Sequence, residues 1–149
     1  MPLFRFAIRL LLRIWFRVRV RGAIDPHSRL LIVSNHESLL DGVLLGSFLP
    51  VVPVPVLHTA IMRHWYVRLA MRLFDHLVVD TAHPLAMKAV IGLVEAGKPV
   101  LIFPEGRATV TGAMMKVYEG PAFVAAKTGA TVVPVHIRGA VYSIFSRVP

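Results

Sequence analysis

The chain has 149 residues, room for one domain with a sizeable core, and 56% of them are hydrophobic, above the usual share for a soluble domain. It has no cysteine, which excludes disulfides, thiolate nucleophiles and cysteine-held zinc, and fits a reducing compartment. The net charge of +9 is unevenly placed: residues 1–21 hold six arginines and no acid, while the remainder carries eleven Lys/Arg against eight Asp/Glu.

Residues 1–21 therefore read as an amphipathic basic arm ahead of a domain over 22–149. Arg5, Arg9, Arg13 and Arg17 stand four apart, and on a helix such positions drift only about 40° per step, so they form one stripe. Phe4, Phe6, Ile8, Leu10–Leu12, Ile14, Trp15 and Phe16 surround it. A wide apolar face with snorkelling arginines suits a helix lying in the headgroup layer of a membrane. The arginines interrupt each apolar stretch short of the roughly 18–20 residues that a span needs. Three other readings stand beside this one: a nucleic-acid-binding arm, a mitochondrial presequence, and a helix packed on its own domain. Large apolar groups argue against the first, and scarce serine against the second. A secretory signal fits poorly, because Arg13 splits the apolar region and no small-residue cleavage site follows.

Along the chain, Val18 and Val20 alternate with arginines as an edge strand would. Residues 23–29 form a polar turn around Asp25-Pro26, and Leu30–Val33 is a short buried strand. A helix is expected over 38–49, stopped by Pro50. The run "VVPVPVL" (51–57) is extended but broken by prolines, so it is an edge strand or none. Periodicity predicts a helix over 61–74 carrying Trp65 and Tyr66, then a short strand at 76–80. A helix over 84–96 has Pro84 in its first turn and Gly97 at its end. "PVLIF" (99–103) is a buried strand, Gly120–Thr128 a helix stopped by Gly129, and 131–137 the last clear strand. Strands that alternate with helices, several of them apolar on both faces, indicate an α/β fold: a mainly parallel mixed sheet flanked by helices.

In such sheets ligands collect beyond the carboxyl ends of strands, and two loops follow strands in that way. The first, "SNHESLLD", carries His36 and Asp41. Imidazole, with an ordinary pKa near 6.5, is the side chain best suited to act as a base at cellular pH. A carboxylate on its other nitrogen fixes the tautomer and stabilises the imidazolium formed during proton transfer. Five residues apart, the two would lie about 140° from each other on an ideal helix, so they meet only if His36 is in the turn and Asp41 in the first helical turns. Alone, the spacing is better explained as an ordinary helix-capping region with a solvent-facing His and Asp.

The second loop is "FPEGRAT" (103–109). Gly106 permits a tight turn, and Arg107 offers a planar fork suited to phosphate, with Thr109, Thr111 and Lys116 as further donors. Alone, it is equally a turn with a surface Glu–Arg pair. It is not a nucleotide phosphate loop, because the G-x-x-x-x-G-K-[ST] spacing is absent. The other histidines, His27, His58, His64, His76, His83 and His136, show no pair at metal-ligand spacing with a carboxylate. No metal and no bound cofactor are expected.

Taken together, "NHESLLD … FPEGR … VVPV" resembles the glycerolipid, or lysophospholipid, acyltransferase family over about residues 3–147. The resemblance implies that His36 is a general base oriented by Asp41 and that Glu105, Gly106 and Arg107, with Lys116 nearby, hold the acceptor's phosphate. It also implies an acyl-carrier-protein or coenzyme A thioester as donor, a lysophospholipid at a membrane surface as acceptor, and no nucleic-acid partner. Many members read Glu-Gly-Thr where this chain has Arg107, and the block at 75–80 lacks the arginine usual there. The Arg form, with "AMMKVYEGPAFVAAKTGATVVPV" after it, is most similar to bacterial bifunctional members whose acyltransferase part precedes an acyl–acyl-carrier-protein synthetase. That implies 2-acylglycerophosphoethanolamine as acceptor, a place on the cytoplasmic face of the inner membrane, and a domain truncated at its C-terminus. A membrane-binding module without activity is the rival expectation.

Overall fold

Alternation along β1 (Leu30–Ser34) explains why an unbroken apolar run was needed. In the computed structural model, which describes residues 2–26, 29–72, 75–80 and 85–148, successive β1 residues enter two different cores. Leu30 and Ile32 pack with Leu45, Leu49 and Leu101 on one side of the sheet. Leu31 packs with Val90, Val94, Val100 and Val124 on the other. Successive side chains of a strand point to opposite faces, so a strand covered on both sides has no polar position to spare. Each such side chain contributes about 1.5–3 kcal/mol by leaving water.

Among the described residues the sheet has five strands in the order β3-β2-β4-β1-β5. The others are β2 (Val54–His58), β3 (Leu77–Val79), β4 (Val100–Ile102) and β5 (Thr131–Val135). Every pairing between these strands is parallel, as the mainly parallel sheet read from the sequence leads one to expect. An antiparallel bridge between Ser38 and Ser146 lies outside the strands. One face is covered by α2 (Asp41–Phe48), the other by α4 (Leu85–Glu95) and α5 (Gly120–Thr128), which pack together. Gly129 closes α5 with φ 60° and ψ 23° and donates its N–H to Ala125, a left-handed cap that favours glycine.

Several elements differ from the reading of the sequence. The "VVPVPVL" run is an inner strand, not an edge. Val54 and Pro55 pair with β4, whereas Val56–His58 pair with β3. Val54 N–H donates to Pro99. Neighbouring N–H groups in a strand point to opposite sides, so the donor that Pro55 lacks falls on the side where β3 has not yet begun. The helix expected over 61–74 is a 3₁₀ turn at Thr59–Arg63 followed by α3 (Trp65–Met71), with Trp65 exposed. Phe74, His27, His83 and Pro84 lie outside the described residues. Residues 17–21 form no strand, and α2 starts at Asp41 rather than Ser38. At the far end Ala140–Tyr142 add a 3₁₀ turn.

The arm is α1 (Pro2–Phe16). Two of its arginines bond the domain. Arg5 donates to Leu49 O at 2.8 Å and Ser47 O at 3.4 Å, Arg9 bonds the same two carbonyls, and Arg13 sits over the Phe48 ring at 5.7 Å. These carbonyls end α2, where Pro50 stops the helix and a cation is favoured. Burial lowers the pKa of Arg5, and the adjacent Arg9 lowers it further. Leu12 is buried beside them, while Leu3, Phe6, Leu10, Ile14 and Trp15 are exposed. No helix among the described residues is long and apolar enough to cross a membrane.

Candidate active site

β1 and β4 are neighbours, so the loops that leave their carboxyl ends meet. His36 follows β1 in extended chain, and Asp41 opens α2 five residues later. The intervening turn brings them together: His36 Nδ1 lies 2.7 Å from Asp41 Oδ2. Asp41 is fully buried. Its Oδ2 also accepts the N–H groups of Glu37 (2.6 Å) and Ser38 (2.8 Å), and its Oδ1 accepts the Ser38 hydroxyl at 3.2 Å. The carboxylate therefore gathers the first N–H groups ahead of α2, where negative charge is favoured. With Asp41 ionised, the imidazole proton belongs on Nδ1 and Nε2 is the basic nitrogen. Phe103 holds the ring from the side, stacked at 4.1 Å between centroids and 19° between planes.

The second loop is bolted to the first. Glu105 is buried, and its two oxygens accept His36 N–H (2.9 Å) and Met115 N–H (2.7 Å). Thr109 N–H donates to His36 O at 2.8 Å. The Thr109 hydroxyl donates to Ala113 O at 2.7 Å and accepts the N–H groups of Thr111 and Gly112, shaping the loop around itself. Gly106 has φ 70° and donates its N–H to Phe103; there is space for a Cβ there, so the backbone angle is what demands glycine. Between the loops lies an open cavity of about 100 Å³, lined by Asn35, His36, Glu37, Glu105, Thr109, residues 112–114 and His136. Among the described residues no three His, Asp or Glu side chains gather as metal ligands.

Residues 2–138 match the model of the family described as Acyltransferase. The chain belongs to the acyltransferase family. It is also similar to the crystal structure of the 1-acyl-sn-glycerophosphate (LPA) acyltransferase PlsC from Thermotoga maritima. The TM-score is 0.75 at 24% identity, over 94% of this chain and 60% of that one. At that identity the likeness speaks for the fold, and the chain spans 60% of the length of the structure it matches.

Set in this acyltransferase fold, the residues singled out in the sequence fall into two groups. His36, Asp41 and Glu105 converge. Arg107 and Lys116 are exposed, Lys116 over the Tyr118 ring at 5.2 Å, and neither lines the cavity. Both oxygens of the Glu105 carboxylate are engaged by backbone N–H groups of the two loops. Ser34 and Ser38 bond within their own turn.

Other members of the site have no signature in local spacing. Asn35 reaches across to β5's exit, accepting Ile137 N–H at 2.7 Å and donating to Ile137 O at 2.9 Å. Glu37 accepts Val141 N–H at 3.0 Å. These partners are more than a hundred residues away in sequence, and only the β1–β5 register brings them close.

Proposed function

We propose that this acyltransferase moves a fatty acyl chain from a thioester to the free hydroxyl of a lysophospholipid. The observation that carries the reading is the 2.7 Å His36–Asp41 bond at the wall of a polar cavity. His36 Nε2 takes the hydroxyl proton as the oxygen attacks the thioester carbonyl carbon. The C–S bond then breaks, an ester remains, and the proton passes from His36 to the departing thiolate. Asp41 keeps the tautomer and stabilises the transient imidazolium, as a buried carboxylate does beside other catalytic histidines. General-base help is worth roughly 10²–10⁴ in rate; positioning within the cavity supplies a further share.

The acceptor in this reading is 2-acylglycerophosphoethanolamine, on the strength of the residues 113–135, and the donor is an acyl-carrier-protein or coenzyme A thioester. Arg107, with Lys116 nearby, meets the acceptor's phosphate from outside the cavity as a planar fork suited to it. The exposed apolar side of α1 rests on the membrane, at the cytoplasmic face of a bacterial inner membrane, where acceptor and product both reside.

The test is acyl transfer to a panel of lysophospholipids with both donors, beside a His36→Ala variant whose fold is verified by circular dichroism. The variant should lose at least about 10²-fold in kcat. Transfer at the parent rate would remove His36 from the chemistry.

A further inference from the structure

Four titratable side chains line the cavity, and three are each tied by hydrogen bonds to other residues. His36 Nδ1 is held by Asp41, Glu37 accepts Val141 N–H, and both oxygens of Glu105 accept N–H groups. The fourth is His136. Its side chain is exposed and makes no hydrogen bond among the described residues.

The position of His136 is set by two independent devices. The β1–β5 ladder runs in register to Ser34 opposite Val135, so the next residues to leave the sheet side by side are Asn35 and His136. The Asn35 carboxamide then grips the main chain of Ile137 with two hydrogen bonds. The residue before the base and the residue after His136 are thus tied together. A clamp of this kind fixes one imidazole relative to the other without either ring taking part.

We infer that His136 is an acceptor-binding residue, donating a hydrogen bond to the phosphate of the lysophospholipid whose hydroxyl His36 deprotonates. This rests on the acyl-transfer reading above. In a glycerophospholipid the reacting hydroxyl and the phosphate share one three-carbon backbone, so the anion must lie within reach of the cavity that holds His36. Two carboxylates, Glu37 and Glu105, face that cavity and oppose an anion. The remaining lining donors are spent internally: Asn35 on Ile137 and the Thr109 hydroxyl on Ala113. His136 is the lining side chain left with an N–H to give. It has no carboxylate partner to fix a tautomer, which separates its role from that of His36.

The experiment compares acyl transfer to 2-acylglycerophosphoethanolamine and to monoacylglycerol, which offers a hydroxyl without phosphate, in the parent, His136→Ala and His136→Arg. His136→Ala should raise KM for the phospholipid acceptor about tenfold, the cost of one lost charge-assisted hydrogen bond. Its kcat should stay within about twofold, monoacylglycerol transfer should be unchanged, and His136→Arg should restore most of the lost affinity. A parent-like KM in His136→Ala, or equal losses with both acceptors, overturns the inference while leaving the acyl-transfer reading intact. A parent enzyme that transfers nothing to any lysophospholipid overturns that reading instead. In that event NMR of the imidazole resonances during titration with glycerophosphoethanolamine decides: shifts at His136 that vanish in His136→Ala support anion binding, and unmoved resonances end it.

Discussion

Replacing Glu105 by glutamine separates a strut from a ligand. The carboxylate is buried and accepts two backbone N–H groups, one from His36 and one from Met115. Glutamine keeps the shape but has one acceptor oxygen. Its NH₂ must then face the second N–H, so one buried donor loses its partner. That costs about 1–3 kcal/mol, which for a domain of this size lowers Tm by about 2–12 °C.

The kinetic consequence follows from which N–H is released. His36 N–H is one of the two, and a catalytic group displaced by about 1 Å costs on the order of 10²-fold. We expect Glu105→Gln to reduce kcat about 10- to 100-fold, with KM for the acceptor within about threefold of the parent. Differential scanning fluorimetry and initial-rate kinetics on the same preparation provide both numbers. An unchanged Tm and kcat with KM raised tenfold or more would refute the reasoning, because that is the behaviour of a side chain that touches substrate directly.

Asp41→Asn should keep the turn, since an amide oxygen in place of Oδ2 still accepts the N–H groups of Glu37, Ser38 and the imidazole, yet lose about 10²-fold or more in kcat because the imidazolium is left without a carboxylate; stopped assays against the parent check it. Arg107→Ala should leave Tm unchanged, because the side chain is exposed, and raise KM for lysophospholipid about three- to tenfold, read from acceptor titrations. In the arm, Phe6→Ser with Trp15→Ser should weaken sedimentation with phosphatidylethanolamine/phosphatidylglycerol vesicles at least about 10²-fold, from roughly 1.5–3 kcal/mol of apolar burial per side chain. Arg5→Gln should instead lower Tm by a few degrees, from about 1 kcal/mol of lost bonding to the end of α2.

The parts of the fold legible in the sequence are those set by local chemistry. Gly120–Thr128 is a helix as read, because Gly129 can adopt the left-handed cap that ends it. The apolar runs at β1 and β4 are strands because both faces of the sheet are covered. What was not legible depends on partners far along the chain. Pro55 forbids an inner strand by the usual rule, yet the ladder changes sides at that residue. Ser38 was read as helical, but its N–H and hydroxyl serve Asp41. In the site, His36 and Asp41 were legible because a turn joins them. The Asn35–Ile137 clamp and the Glu37–Val141 bond were not, since strand register alone creates them.

The two ends of α2 connect what looks like separate business. Asp41, at its first turn, holds the His36 imidazole, while Ser47 and Leu49, at its last, are gripped by Arg5 and Arg9 of α1. Acid at the N-terminus and cations at the C-terminus both suit the helix dipole. Arg5 and Arg9 thus face inward, half-buried, and Phe6, Leu10, Ile14 and Trp15 are presented outward. A helix of eight residues rises about 12 Å. The apolar face and the imidazole are therefore held a short, fixed distance apart by one rigid rod. On the proposed reading, the depth at which α1 sits in the headgroup layer sets the height of His36 above it, and an acceptor hydroxyl needs to rise only that far to be acylated.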